Sequence, residues 1–146
     1  MHDLPRQLDE AQLAELFEGV TTLVRKLAAR EDPLGNAHEV IATLTEEEKL
    51  EALNAHPAIG ARSGLSARSA AEQGDAADPE TLAELGRLNG EYERRFGFRF
   101  VVFVNRRPKA KVLEVLRERI ERTRAEELDT AVEELVAIAE DRWRRS

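Results

Sequence analysis

Only one stretch of this chain, Phe98–Val104, has the composition of a β-strand. Six of its seven residues are phenylalanine or valine, which favour extended backbone. A strand needs a neighbour to pair its amide and carbonyl groups, and the sequence has no second stretch of this kind. Elsewhere apolar residues recur at the three- and four-residue spacings of amphipathic helices. The sequence therefore predicts an all-α fold, a single-domain bundle of about seven helices with one short buried extended segment.

Caps and helix breakers predict where several helices begin and end. Thr45 followed by Glu48 is the capping-box pattern that starts a helix. Pro57 ends that helix, because a proline disfavours helical geometry in the residue before it. Asp78-Pro79 starts another helix, which Gly97 should close. The periodicity also predicts a first helix running through residues 10–27 behind Asp9, a short helix over 66–73, one after Pro108 and a last one reaching Trp143.

Length, charge and cysteine content exclude several classes of protein. The 146 residues fit one domain, residues 1–146, and no internal linker divides them. A net charge of −7 argues against a nucleic-acid partner, although local arginines still allow a small anionic substrate. The chain has no cysteine, no apolar run near the ~20 residues of a membrane span and no signal-peptide pattern. We therefore expect a cytoplasmic protein with no membrane association.

Motifs for common cofactors and metals are absent. The sequence contains no glycine-rich phosphate loop, no His-Glu-x-x-His and no Gly-x-Ser-x-Gly. Its three histidines, His2, His38 and His56, are too scattered for a metal site. We therefore expect no metal site.

Polar residues instead gather beside the predicted helix breaks: His56, Ser69, Glu72, Gln73 and Arg142. Together they can bind and protonate a small anion, and a histidine suits this role because its ordinary pKa lies near the working pH. Each also has a plain structural interpretation. His56 before a proline is then a solvated loop residue, Ser69 with Glu72 is a helix cap, and Arg142 only meets a helix dipole.

Five motifs, in order, resemble one enzyme family. They read HPAIG, SAAEQ, LNGEYERRFGFRFVVFV, RTRAEELDTAVEEL and IAEDRW, and they span roughly Asp9 to Trp143. This order resembles the 2-oxo-4-hydroxy-4-carboxy-5-ureidoimidazoline (OHCU) decarboxylases. The resemblance implies an all-α enzyme, usually a homodimer without metal or organic cofactor, that converts OHCU to (S)-allantoin in urate degradation.

The resemblance also implies a role for particular residues. His56 is the general acid, Glu72 the second catalytic group and Arg142 the arginine of the C-terminal helix. The substrate is bound by Pro57, by the element Ser69, Ala70, Ala71, Glu72 and Gln73, and by the backbone of Phe100, Val101, Val102, Phe103 and Val104. Two motifs depart from the family pattern: His-Pro-Asp-Leu-Ala-Gly reads HPAIGA here, and Arg99 replaces the proline of Phe-Gly-Phe-Pro-Phe.

Two alternatives remain open at the level of sequence. Arg99 and the altered His-Pro loop are compatible with an enzyme of the same fold that acts on a related ureido or imidazoline acid. A non-catalytic helical interaction module is the other alternative, and it predicts an exposed apolar face.

Overall fold

A computed structural model describes residues 7–56 and 79–145 of the chain. These two ranges contain seven α-helices and no β-strand, so the all-α prediction is confirmed. The helices are α1 (Glu10–Phe17), α2 (Thr22–Ala28), α3 (Ala37–Ala42), α4 (Glu46–Asn54), α5 (Pro79–Phe96), α6 (Lys109–Arg119) and α7 (Arg124–Arg145).

Most of the predicted helix boundaries are confirmed. The Thr45 side chain accepts a hydrogen bond from the Glu48 amide, and the Glu48 carboxylate accepts one from the Thr45 amide. This exchange satisfies two amides that the first turn of α4 would otherwise leave unpaired. α5 begins at Pro79 and ends at Phe96. Gly97 follows with a φ of 81°, a conformation that glycine adopts without steric cost.

The continuous first helix predicted over residues 10–27 is wrong. α1 ends at Phe17, and Glu18 takes the left-handed conformation with a φ of 67°. The chain then turns, and the Thr21 side chain caps α2 by accepting a hydrogen bond from the Val24 amide. Apolar spacing alone does not reveal the break, because both helices bury residues in the same core. The short helix α3 was also not predicted.

The longest helix of the described residues, α7, packs against helices from the N-terminal part of the chain. It packs against α1 and α4, while α2 contacts α1, α3 and α4, and α5 lies against α6. The core is built almost entirely from leucine, valine, alanine and phenylalanine side chains of these helices. The N-terminal and C-terminal parts of the chain are therefore joined through the same apolar core.

The segment between α5 and α6 is the non-helical piece that the sequence predicted. Residues 99–104 belong to no helix and pair with no strand within the described ranges. Phe100 and Val101 are fully buried, and Val102 and Val104 nearly so. The predicted short helix over residues 66–73 lies outside the described residues, as do Pro57, Ser69, Ala70, Ala71, Glu72 and Gln73.

Candidate active site

His56 is a buried residue at the end of α4. The helix ends at Asn54, and the His56 amide continues the turn by donating to the Leu53 carbonyl at 3.2 Å. Only 8% of His56 is exposed, and its Nδ1 atom is buried without a hydrogen-bond partner among the described residues. A buried imidazole nitrogen without a partner is costly in a folded protein. The interpretation of His56 as a solvated loop residue is therefore wrong.

Arg142 is a buried residue near the end of α7. It is 1% exposed, although it lies in the last turn of α7. Its Nη1 atom donates to the Leu16 carbonyl at 2.9 Å and lies 2.9 Å from a carboxylate oxygen of Glu18. Arg142 thus holds the end of α1 to the end of α7. An interaction with the helix dipole alone does not account for this burial.

The surroundings of His56 depress its pKa. Burial has the largest effect, and together with the nearby charges it lowers the pKa from 6.5 to about 4. The positive charges of Arg142 and Arg99 act in the same direction as burial, whereas the carboxylate of Glu18 opposes them. The expectation of an ordinary histidine pKa near the working pH is therefore wrong. At neutral pH His56 is an uncharged imidazole.

Arginines hold three carbonyls of the segment Phe100–Val104. Arg119 donates from Nη1 to the Val101 carbonyl at 2.8 Å. Arg107 donates from Nη2 to the Phe103 carbonyl at 2.6 Å and from Nε to the Val104 carbonyl at 3.0 Å. These bonds fix an irregular backbone that has no strand neighbour in the described part of the chain.

Part of the backbone of this segment is not hydrogen-bonded to any described residue, at Phe100 as well as at Val102. The neighbouring Phe103 amide donates to a carboxylate oxygen of Glu134, on α7, at 3.3 Å. In contrast, neither the amide nor the carbonyl of Val102 forms a hydrogen bond with another described residue. Val102 is 6% exposed, so these groups have little access to bulk water. Buried backbone groups normally have a hydrogen-bond partner.

A buried carboxylate binds Arg119, the arginine that donates to the Val101 carbonyl. Glu127, on α7, is fully buried and accepts hydrogen bonds from the Tyr92 hydroxyl at 2.5 Å, Arg119 Nε at 2.8 Å and Arg122 Nη1 at 3.0 Å. The Arg119 guanidinium also lies 4.6 Å from the centroid of the Phe100 ring. Burial and the hydrogen bond to the carboxylate raise the pKa of Tyr92. This cluster connects α5, α6 and α7 beneath the non-helical segment.

Sequence reasoning missed Glu18, Arg119, Glu127 and Glu134. Arg119 and Glu127 are eight residues apart across a predicted helix junction, so no helical spacing links them. Glu18 carried a weak signal, because Glu-Gly interrupts an otherwise helical pattern. Within the described residues no cluster of three or more histidine and carboxylate groups is arranged to hold a metal ion. No helix there is long and apolar enough to cross a membrane.

The chain thus holds a buried imidazole and a buried guanidinium, groups that can carry out acid–base chemistry on an anion, within a small all-α bundle. It belongs to the OHCU decarboxylase family, whose model matches residues 2–144. The OHCU decarboxylase of Haloferax volcanii is 28% identical, over 96% of this chain and 94% of that protein. The OHCU decarboxylase of Amia calva is 31% identical, over 74% of this chain and 70% of its own length.

The fold of a solved family member agrees with this assignment. An OHCU decarboxylase crystallised in the presence of (S)-allantoin superimposes with a TM-score of 0.74 at 25% sequence identity. The match covers 90% of this chain and 94% of that structure. The chain is thus a member of a carboxy-lyase family, as its motifs predicted.

Proposed function

We propose that this protein decarboxylates OHCU to (S)-allantoin during urate degradation, with His56 as its central acid–base group. The observation that carries the proposal is the state of His56: a buried, uncharged imidazole whose Nδ1 has no partner among the described residues, with the guanidinium charge of Arg142 acting on it. Membership of the OHCU decarboxylase family supplies the reaction and the substrate.

The chemistry of the substrate explains why so few groups suffice. In OHCU the carbon that bears the carboxylate also bears a hydroxyl and adjoins a C=N bond. When CO2 leaves, its bonding electron pair forms a carbon–carbon double bond and the former imine nitrogen takes up the one proton that the reaction consumes. The substrate therefore provides its own electron sink. The protein has to orient the carboxylate and direct one further proton transfer.

That further transfer suits a histidine that starts uncharged. The intermediate becomes a carbonyl when its hydroxyl loses a proton and the adjacent ring carbon gains one. Neutral His56 accepts the hydroxyl proton and, as imidazolium, delivers it to one face of the ring carbon. A fixed proton donor explains how a single enantiomer of allantoin is formed. His56 thus acts first as a general base, on the hydroxyl, and then as the general acid that the resemblance implies, on the ring carbon.

Binding of the substrate prepares His56 for this cycle. A substrate carboxylate near Arg142 offsets a positive charge that lowers the pKa of His56. An opposite charge nearby favours the protonated imidazole, so the pKa of His56 rises when the anion binds. The amide and carbonyl of Val102, which form no hydrogen bond with another described residue, match the donor and acceptor edges of a ureido group.

Further parts of the proposal rest on the family resemblance. Glu72 acts as the second catalytic group, and Pro57 with the element Ser69–Gln73 completes the substrate site. The working protein is a cytoplasmic homodimer of this single domain, without metal or organic cofactor. Sedimentation or light scattering at micromolar concentration tests the dimer directly.

The interaction-module alternative predicts an exposed apolar face. Val20, 49% exposed, is the one large apolar side chain of the described ranges that is exposed. A single such residue is ordinary for a protein surface. This observation favours the enzyme.

One assay tests the proposed function. OHCU is generated from urate by the two preceding enzymes of the pathway, and formation of (S)-allantoin is followed by circular dichroism above the spontaneous background. We expect wild type to accelerate formation of one enantiomer, and His56→Asn and Glu72→Ala to lower kcat by roughly 100-fold or more, the usual range for acid–base groups. His38→Asn is the matched control, because His38 is exposed on α3.

Two results would contradict the proposal. If wild type does not accelerate formation of one enantiomer, the activity is wrong. If His56→Asn retains the kcat of wild type and of His38→Asn, the activity stands but His56 is not its acid–base group.

A further inference from the structure

Arg99 connects the two parts of the candidate site that the structure describes. Its backbone directly precedes the segment Phe100–Val104, and the neighbouring Phe98 and Phe100 rings are buried in the core. The side chain of Arg99 is 31% exposed and extends away from that core to the end of α4. One residue therefore reaches both the non-helical segment and the turn that carries His56.

Four polar contacts hold Arg99 in this position. Its Nη1 atom donates to the His56 carbonyl at 2.5 Å and to the Asn54 carbonyl at 3.3 Å. Its backbone amide donates to the Asn54 side-chain oxygen at 3.1 Å, and its Nε atom lies 3.4 Å from a carboxylate oxygen of Glu93. The contacts with Asn54 and His56 join the two chain segments through both backbone and side chain.

The contacts also provide hydrogen-bond donors for carbonyls at the C-terminal end of α4. The last carbonyls of a helix have no partner within the helix, and a cation near them is favourable. Arg99 satisfies two carbonyls at or just after this helix end and so fixes the backbone on which the His56 imidazole is mounted. A displacement of about 1 Å in a catalytic group can cost roughly 100-fold in rate.

We propose that Arg99 is a positioning residue for the reaction, which fixes the backbone of His56 relative to the segment Phe100–Val104. It acts through His56, and this inference rests on the proposed function for its kinetic consequences. The replacement of the family's proline by an arginine thus supplies a hydrogen-bonded connection between two parts of the site.

Charge and geometry can be separated by the choice of variant. The charged groups that act on His56 are Arg142, Arg99 and Glu18. Arg99→Lys keeps the positive charge and one donor group at the end of α4, whereas Arg99→Met removes both. Arg87→Met is the matched control: Arg87 lies on the exposed face of α5, binds Glu84 and Glu91, and its loss changes the net charge by the same amount.

The test compares steady-state decarboxylation of OHCU by wild type and these three variants. We expect Arg99→Met to lower kcat between about 10-fold and 100-fold with KM changed less than about threefold, because a displaced catalytic group affects the chemical step most. Arg99→Lys should recover most of the loss, and Arg87→Met should match wild type. A kcat of Arg99→Met within twofold of wild type, or no recovery in Arg99→Lys, overturns the inference.

A second measurement tests, without any enzyme turnover, whether Arg99 fixes the position of His56. In ¹H–¹⁵N spectra of the imidazole groups, we expect the His56 signals to shift or broaden in Arg99→Met and to be unchanged in Arg87→Met. If wild type proves inactive while the His56 signals still respond to Arg99→Met, the proposed function fails and the anchoring stands. If the His56 signals are identical in wild type and Arg99→Met, the anchoring itself is wrong.

Discussion

Burial of an uncharged His56 should make the protein measurably less stable in acid. In the unfolded chain this histidine has its ordinary pKa of 6.5, whereas in the native protein burial and the charge of Arg142 lower it to about 4. Between these two values the unfolded state binds more protons than the native state. Stability therefore rises with pH across this window and falls on acidification.

The size of the effect follows from the two pKa values. Each pKa unit corresponds to about 1.4 kcal/mol, so a separation of about 2.5 units amounts to roughly 3 kcal/mol at pH 4 relative to pH 7. His56→Asn removes the titrating group and with it this contribution. Carboxylates elsewhere titrate in both proteins, so their effect cancels in the difference between the two stability curves.

Urea unfolding followed by circular dichroism at pH 7, 6, 5 and 4 measures this difference. We expect wild type to lose about 3 kcal/mol more than His56→Asn over this range, with most of the loss below pH 6. His38→Asn, which removes an exposed histidine, should follow wild type. Stability curves of wild type and His56→Asn that stay parallel from pH 7 to pH 4 would refute the reasoning, because they would mean that His56 titrates alike in both states.

Three further predictions concern the groups around this histidine and the support of the fold. Arg142→Met should raise the pKa of His56, because the guanidinium charge is the second largest cause of its depression, and an NMR titration of the imidazole checks this. Glu127→Ala should cost roughly 3–5 kcal/mol of stability in urea unfolding, because it leaves the Arg119 charge buried without its partner. Thr45→Ala should cost only about 1 kcal/mol, the usual loss for a helix cap.

Local signals in the sequence predicted most of the fold. The capping box at Thr45, the proline at the start of α5 and the glycine after Phe96 act through the nearest few residues, so their effect can be read without a structure. The break after Phe17 could not be read in this way. It depends on Glu18 holding a left-handed conformation next to Arg142, and Arg142 is 124 residues away in the chain.

The motifs predicted His56, Arg142 and the segment Phe100–Val104 as parts of the site, and this assignment stays a prediction. They did not reveal the electrostatics of these residues. The low pKa of His56 arises from burial and from charges on other elements, which spacing along the chain does not encode. The partners of the non-helical segment were equally hidden, since Arg119 and Glu134 reach it from separate helices.

Insertions and deletions within helix α7 should be poorly tolerated. Glu127, Glu134 and Arg142 project from this one helix toward three different parts of the site, and 15 residues, about 22 Å, separate the first from the last. Adding or removing one residue between Glu134 and Arg142 would rotate everything beyond it by about 100°. The guanidinium would then leave the neighbourhood of His56 while the cluster around Glu127 stayed intact. Changes in length within this helix should therefore disturb both the packing of α7 on α1 and the surroundings of His56.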